Sequence, residues 1–158
     1  MIYKNSEIGL SLNIDDTLLN TLIDVGKKHY PNEFGGFLIG NYSDDFKQLN
    51  VTDTLLPKKY KATKYLFERS TKGIKKQLLD FYAETPKKYY VGEWHTHPDN
   101  LPVPSHTDFK AMKGIVNHKE VTIKNPVLLI IGYNQTDVEI GFYVLFEEKL
   151  YKYDKNIF

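Results

Sequence analysis

The chain carries at residues 92–98 the sequence GEWHTHP, in which two histidines alternate with other side chains. The segment from Tyr89 to Trp94 is rich in aromatic and β-branched residues and is bounded by prolines, which predicts a strand. Side chains two apart on a strand point to the same face. His95 and His97 are therefore expected to project side by side from the end of this strand, close enough to bind one ion.

A proline-bounded loop connects this strand to the sequence PSHTD at residues 104–108. Ser105 is expected to cap a helix that runs to about Lys119. Asp108 falls in the first helical turn, where the helix dipole favours a carboxylate, and it can face back toward the two imidazoles. Ser105 and Asp108 also match a capping box, which satisfies amides at the helix end and implies no chemistry by itself. The two interpretations are compatible.

Two histidines and one carboxylate give the ligand count of a catalytic zinc site, which keeps its fourth position for water. The chain has no cysteine, whereas a structural zinc usually takes four ligands that include thiolates. A metal bound by these three residues would therefore lie in an open, hydrolytic site. The same ligand set can hold iron(II), but no signal of an oxygenase fold accompanies it.

Length and composition predict a single folded domain. The 158 residues are 41% hydrophobic, which is enough for one substantial core. A net charge of +1 argues against nucleic acid as the main partner. The longest apolar run, Val127 to Ile131, is too short to span a bilayer, and the start of the chain does not resemble a signal peptide. Because the absence of cysteine also fits a reducing compartment, we expect a cytoplasmic protein without membrane contact.

Hydrophobic patterning predicts further strands and helices around the histidine motif. A helix is expected to begin at Asp15 or Asp16 and to stop at Pro31, with His29 as a group at its end, and a second helix is expected at about 71–84. Strands are expected at 8–14, after the glycines of 32–40, at 48–56, at 126–133 and at 138–146. Residues 134–137 are expected to form a hairpin turn, and residues 150–158 a final strand or an interaction tail.

A lysine-rich stretch, Pro57 to Lys64, interleaves four lysines with Tyr60 and is followed by Tyr65. Such a mixture of charge and aromatic rings can contact an acidic partner or a nucleic acid strand. A solvated loop is the expected structure for it.

Glu33 begins the sequence EFGGFLIG at residues 33–40. This is not a phosphate-binding loop, because it lacks the Gly-Lys-Ser/Thr ending and leads into a strand. The glycines are expected to allow close backbone approach inside a packed sheet. By position alone, Glu33 is most simply a solvated loop carboxylate.

The pattern E-x-G-G-x-L-x-G from Glu33, followed by H-T-H-P and then P-S-x-x-D, resembles the JAMM (JAB1/MPN/Mov34) metalloprotease family. The resemblance covers about Ile8 to Phe146. It implies an α/β fold, a single-domain cytidine-deaminase-like/MPN sandwich with a curved, mainly antiparallel sheet flanked by helices. The domain is expected to span residues 1–158, with the motif-bearing core at about 8–146.

The resemblance also implies chemical roles. One zinc ion, Zn(2+), per chain is held by His95, His97 and Asp108. Glu33 becomes the carboxylate that orients and deprotonates the zinc-bound water, which replaces its interpretation as a solvated loop residue. Ser105 donates a hydrogen bond to the oxyanion. His106 and His118 are outside the motif and are expected on the surface, at the start and the end of the predicted helix.

The family's usual substrate is an isopeptide or peptide bond after the C-terminal tail of a ubiquitin-like protein or its conjugate. The chain resembles the small prokaryotic JAB-type deconjugating isopeptidases, some of which accompany ligase systems of antiphage defence (CBASS). The implied partner is therefore a ubiquitin-like protein or a ligase-modified defence enzyme. One alternative is a processing peptidase for a sulfur-carrier protein. A second is a non-catalytic MPN scaffold that uses the stretch from Lys58 to Tyr65 for docking.

Overall fold

The computed structural model describes residues 1–118 and 122–156, which form eleven strands and three helices. The strands are β1 (Ile2–Asn5), β2 (Leu10–Ile14), β3 (Gly35–Tyr42), β4 (Gln48–Leu55), β5 (Tyr60–Ala62), β6 (Phe67–Arg69), β7 (Tyr89–Pro98), β8 (Val127–Tyr133), β9 (Val138–Phe146), β10 (Lys149–Lys152) and β11 (Asp154–Asn156). The helices are α1 (Asp16–Lys27), α2 (Lys75–Tyr82) and α3 (His106–Val116).

Nine strands form one sheet in the order β10-β9-β8-β7-β3-β4-β2-β1-β11. Neighbouring strands of this sheet are antiparallel except for two pairs, β2 with β4 and β7 with β8. Strands β5 and β6 pair with each other as a separate antiparallel hairpin. The expected α/β fold, a large and mainly antiparallel sheet flanked by helices, is confirmed.

Helices cover both faces of the sheet, and the alternation of side chains along β8 shows how. Leu129 belongs to the same buried cluster as Leu22 of α1. Its neighbour Leu128 belongs to a second cluster, together with Met112 of α3. Adjacent residues of a strand face opposite sides. Helix α1 therefore packs on one face of the sheet and α3 on the other.

Helix α1 begins where the sequence predicts, because the Asp15 carboxylate accepts a hydrogen bond from the Thr17 amide at 2.7 Å. It ends at Lys27, four residues before Pro31. The His29 ring then closes the helix end, since its Nδ1 lies 3.0 Å from the Val25 carbonyl oxygen. This confirms His29 as a group at the helix end.

The structure also corrects several sequence expectations. The stretch Pro57 to Lys64 is not only a solvated loop, because Tyr60–Ala62 pairs with Phe67–Arg69. The first strand of the chain, β1, was not predicted. Residues 8 and 9, which were expected to begin the next strand, belong instead to a turn at residues 6–9. The final segment contains the expected strand, as β10 and β11, whereas residues 157–158 lie outside the described residues. Lys119, the expected end of α3, also lies outside them.

In the part of the chain that the structure describes, none of the helices has both the length and the apolar character needed to cross a bilayer.

Candidate metal centre

Strand β7 lies inside the sheet between β3 and β8 and presents different side chains on its two faces. Trp94 and Thr96 are buried toward α1, where Gly26 approaches so closely that an added Cβ would lie 2.4 Å from the Thr96 Cγ2 atom. His95 and His97 project from the opposite face, as the spacing of the motif predicts. Both histidines are 9% exposed, so their rings are almost completely buried.

Three ligand atoms converge at this point. Nε2 of His95 lies 3.1 Å from Nε2 of His97. Oδ1 of Asp108 lies 3.3 Å from the His95 nitrogen, and Oδ2 lies 3.5 Å from the His97 nitrogen. The structure therefore brings together the three residues that the sequence predicts as metal ligands.

The spacing of these atoms fits a tetrahedral metal site. With zinc–nitrogen bonds of about 2.0–2.1 Å, two ligand atoms of a tetrahedron lie about 3.3 Å apart. The observed distances of 3.1, 3.3 and 3.5 Å surround this value. The Leu101 carbonyl oxygen lies 3.0 Å from Nδ1 of His97 and can only accept. Nδ1 therefore carries the hydrogen, which leaves the lone pair of Nε2 for a metal.

Asp108 is held in place by the start of α3. Ser105 accepts a hydrogen bond from the Asp108 amide through Oγ at 3.1 Å, and its own amide donates to Oδ2 of Asp108 at 2.8 Å. The predicted capping box is therefore confirmed. It leaves Oδ1 of Asp108 for a metal. The Ser105 hydroxyl hydrogen is not used by the cap and can be donated to another molecule.

Electrostatics keep the carboxylate of Asp108 ionised. Burial alone would raise its pKa, but the hydrogen bonds to His95 and His97 outweigh burial and hold that pKa well below its usual range. Burial lowers the pKa of His97, but Asp108 and the Leu101 carbonyl together raise it above its ordinary value. The site is therefore an anion placed against two imidazoles, an arrangement that attracts a cation.

Backbone hydrogen bonds place Glu33 beside the three candidate metal ligands. The Phe34 amide donates to Oγ1 of Thr96 at 3.0 Å, and the Thr96 amide donates to the Phe34 carbonyl at 2.8 Å. Thr96 lies between His95 and His97, so these bonds tie the segment before β3 to strand β7. Gly35 then pairs directly opposite His95. The sequence motifs around residues 33 and 95 therefore meet across two neighbouring strands.

Glu33 lies in the same cavity as the three ligand residues. Burial raises the pKa of its carboxyl above the ordinary value of 4.5, and the histidine charges lower it only in part. A carboxylate whose pKa is moved toward neutrality is suited to accept and return a proton. This position differs from that of the solvated loop residue that Glu33 resembles by sequence position alone.

Comparisons with known proteins agree with this geometry. A family model described as "Prokaryotic homologs of the JAB domain" matches residues 16–143. The chain belongs to the prokaryotic JAB family. A protein of Enterobacter hormaechei subsp. hoffmannii (strain UCI 50), named "CD-NTase/cGAS isopeptidase", is 34% identical over 120 residues, which cover 75% of this chain and 66% of that protein.

A second relative with the same name, from Escherichia coli (strain TW11681), is 42% identical over 53 residues, which cover 33% of this chain and 30% of that protein. This JAB chain thus spans less than two thirds of the length of both curated relatives. The solution structure of a Desulfitobacterium hafniense protein aligns with a TM-score of 0.61 and 14% identity, over 89% of this chain and 88% of the other. That likeness supports the fold alone.

The cavity of this JAB domain contains residues that sequence reasoning did not identify. Its volume is about 930 Å³, and its walls come from the β5–β6 hairpin on one side and from α3 with the preceding loop on the other. Arg69, the chain's only arginine, donates two hydrogen bonds to Oε1 of Glu93. Tyr90 donates a third to the same oxygen at 3.1 Å. Glu93 is two residues before His95, so strand periodicity places it in the same row of side chains.

The remaining histidines lie outside the cavity. His106 is exposed at the first position of α3, and His118 is exposed just after its end. The expectation that both are surface residues is confirmed.

Proposed function

We propose that the chain is a zinc-dependent isopeptidase or peptidase that cleaves the bond after the C-terminal tail of a conjugated protein. One observation carries this proposal. The three convergent ligand atoms and the Glu33 carboxylate line a single open cavity. That combination serves the hydrolysis of an amide bond, because it supplies a metal position, a proton acceptor and room for a polypeptide.

Different residues of the site are proposed to carry out different steps of the hydrolysis. Zinc held by the two histidines and Asp108 would supply Lewis acidity, lowering the pKa of a water and polarising the substrate carbonyl. Glu33 takes a proton from the attacking water as the new carbon–oxygen bond forms. It returns that proton to the leaving nitrogen as the carbon–nitrogen bond breaks, so the products are a carboxylic acid and an amine.

Ser105 is proposed to stabilise the charge that develops on the carbonyl oxygen. Its Oγ accepts the cap hydrogen bond from Asp108, which fixes the side chain at the edge of the cavity. The cap does not use the hydroxyl hydrogen of Ser105, which therefore serves as the donor. Loss of one donor of this kind costs about 3 kcal/mol of transition-state stabilisation in comparable sites.

The substrate class is proposed from the relatives. Both carry the name "CD-NTase/cGAS isopeptidase". This name favours as substrate a CD-NTase that a ligase has joined to another protein. Conjugates of ubiquitin-like proteins are the less favoured substrates. An isopeptidase cuts a C-terminal carboxyl from a lysine amine, so the tail must reach the metal in an extended form. A role in bacterial antiphage defence, carried out in the cytoplasm, follows from this assignment.

We also propose that residues 1–158 act as one metalloprotease domain. The first strand, β1, pairs with both β2 and β11, so the two ends of the described chain meet at one edge of the sheet. An arrangement of this kind favours one cooperative unit.

The test uses a CD-NTase of Enterobacter hormaechei whose C-terminus is fused to a reporter protein. Parallel fusions of ubiquitin and of a sulfur-carrier protein separate the three substrate classes. Cleavage is measured with the wild type, Glu33→Gln, His106→Gln and a chelator-treated sample, and bound metal is quantified in each. We expect Glu33→Gln to retain metal and to cleave at least about 100-fold more slowly. His106→Gln, which changes an exposed histidine beside the site, is expected to behave as the wild type.

The outcomes separate the competing functions. Preferred cleavage of the sulfur-carrier fusion identifies a processing peptidase. A wild type that holds no metal and cuts none of the fusions is a non-catalytic scaffold. Equal rates for Glu33→Gln and the wild type would show that Glu33 is not the proton acceptor.

A further inference from the structure

Basic residues are concentrated in one part of this chain. Residues 58–76 contain eight of the 21 basic residues and one of the 20 acidic ones, which gives a formal charge of +7. Because the whole chain has a net charge of +1, the remaining residues together carry −6. A total charge of only +1 is therefore the sum of a strongly basic segment and an acidic remainder.

The lysines of this segment are exposed on the β5–β6 hairpin, on the residues beside it and at the start of α2. We call this group the lysine surface, and its members are Lys58, Lys59, Lys61, Lys64, Lys72, Lys75 and Lys76. The Ser70 amide donates to the Lys59 carbonyl at 2.9 Å, which joins the two ends of the hairpin. The Lys58 side chain reaches Gly73, where an added Cβ would lie 2.9 Å from its Cδ atom. The hairpin and the start of α2 are therefore adjacent.

The charges of the lysine surface are free to act on a partner. All of its members are exposed. Within residues 1–118 and 122–156, none of them has a carboxylate oxygen within 4.0 Å, in contrast to Lys88, which pairs with Asp53 and Glu84. Glu68 stands opposite Lys61 across the hairpin and is the segment's own acidic residue. One carboxylate cannot offset the other lysines.

The lysine surface continues directly into the cavity of the metal centre. Residues 64–69 line that cavity from the hairpin side. The Glu33 amide donates to the Thr63 carbonyl at 2.8 Å, so the hairpin is also bonded to the segment that carries the proposed proton acceptor. A protein whose tail lies in the cavity would therefore place its adjoining residues against the lysines.

The positions of the aromatic side chains favour an acidic protein over a nucleic acid as the partner of this surface. Binding of a single strand uses a series of rings on which bases stack. The Tyr60 ring is instead packed edge-on against Phe34, with the centroids 5.2 Å apart, and it also contacts Phe67. Tyr65, which is 81% exposed, offers only one ring for stacking. The surface is thus rich in charge and poor in stacking platforms.

We propose that the lysine surface docks an acidic segment of the protein substrate, next to the tail that enters the cavity. This inference rests on the proposed function, because it assigns the same cavity to that tail. The attraction between opposite charges raises the rate of encounter and weakens as salt is added. It therefore lowers KM and leaves kcat unchanged, since the lysines do not touch the reacting atoms.

The experiment compares two peptides that share the last ten residues of the CD-NTase tail and a reporter after the scissile bond. One begins with six glutamates and the other with six glutamines. The proteins are the wild type, K59E/K75E/K76E and the control K149E/K152E/K155E, which makes the same change in net charge on β10 and β11. Glutamates in the first turn of α2 are compatible with the helix dipole. Thermal melting checks the fold, and K59Q/K75Q/K76Q replaces the first variant if it does not fold.

At low salt, we expect the wild type to cleave the glutamate peptide with a kcat/KM about tenfold above that for the glutamine peptide. At 0.5 M NaCl, the kcat/KM values for the two peptides should be nearly equal. The preference should vanish or reverse in K59E/K75E/K76E and persist in the control. Equal cleavage of both peptides by the wild type would overturn the docking inference while leaving the proposed function intact. Failure to cleave either peptide would count against the proposed function.

Binding provides a readout that does not depend on cleavage. Fluorescence anisotropy with the Glu33→Gln variant measures the affinity for the glutamate peptide and for a 20-nucleotide oligothymidine. Tighter binding of the glutamate peptide, lost in the same variant with K59E/K75E/K76E, supports the inference. Binding of oligothymidine in preference to the peptide would overturn it and would identify a nucleic acid surface.

Discussion

Gly35 illustrates how the absence of one side chain positions the ligand strand. It pairs opposite His95, and a Cβ atom built on it would lie 2.0 Å from the Trp94 carbonyl oxygen. Because both contacts involve backbone, neither strand can yield without moving the histidine. We expect Gly35→Ala to lower the free energy of unfolding by about 2 kcal/mol or more and to weaken metal binding. Denaturant unfolding and metal titration measure the two effects.

A matched glycine provides the control for this substitution. Gly114 lies within α3, and a Cβ there would have no neighbour within 4 Å. Gly114→Ala is expected to stabilise the protein by about 0.5–1 kcal/mol, because alanine favours a helix. If both variants behaved alike, the close approach at Gly35 would not be the cause.

The pH dependence of cleavage tests the environment of Glu33. A proton acceptor works only when it is ionised, so the rate should fall as the pH falls through its pKa. Burial raises that pKa above 4.5, which predicts an acidic limb of the pH–rate profile at higher pH than for an ordinary glutamate. The measurement is kcat between about pH 3.5 and 8, with metal content determined at each pH. An acidic limb at or below 4.5 with metal retained would contradict this role.

The β5–β6 hairpin is fixed to the sheet by an ion pair inside the cavity. Arg69 bonds to Glu93 and also lies over the Phe37 ring, 5.2 Å from its centroid. The hairpin also bonds to the Glu33 amide through Thr63. We expect Arg69→Met to lower stability by about 2 kcal/mol and to reduce kcat with metal content unchanged, because a loosened hairpin no longer positions Glu33.

Lys88→Met is the corresponding control for the loss of a cation. Lys88 pairs with Asp53 and Glu84 outside the cavity. Its removal is expected to change stability by less than about 1 kcal/mol and to leave kcat as in the wild type. An unchanged kcat in Arg69→Met would show that Glu33 is positioned without the hairpin.

Local patterns predicted the strands and helices that have a strong periodic signal. Helix α1 and the strands from β3 to β4 and from β7 to β9 follow such signals. Strand β5 is too short to give one, because Tyr60–Ala62 has only three residues, and it is defined by its pairing with Phe67–Arg69. Strand β1 is similarly defined by its partners, β2 and β11. The pairing of distant segments cannot be predicted from a short window of sequence.

In the whole molecule, the predicted ligands meet as expected because their spacing follows from strand and helix geometry. His95 and His97 need only the two-residue period, and Asp108 needs only the first turn of a capped helix. The Arg69–Glu93 pair was missed, since its members are 24 residues apart and lie in different sheets. That the five residues assigned to the site, His95, His97, Asp108, Glu33 and Ser105, act in metal binding and catalysis stays a prediction, which the cleavage assay tests.

Removal of the metal is expected to leave the fold intact. His95 and His97 both lie on a strand that is bonded along both edges, with His95 opposite Gly35 and beside Ile130. A ligand that binds only the folded state stabilises it by mass action, so chelation should lower Tm by a few degrees without unfolding the protein at 25 °C. Circular dichroism with and without chelator measures this. A loss of secondary structure on chelation would show that the metal is needed for folding.

Because β7 lies in the interior of the sheet, we expect its amide hydrogens to be among the most protected in the protein. They are expected to exchange with deuterium only when the sheet opens as a whole, in the metal-free as in the metal-loaded protein. We therefore expect the candidate site to keep the same shape with and without a bound ion. Cobalt(II) bound to His95, His97 and Asp108 would give a visible absorption spectrum. That spectrum is expected to change when a substrate or inhibitor enters the cavity, so it would report binding at the site directly.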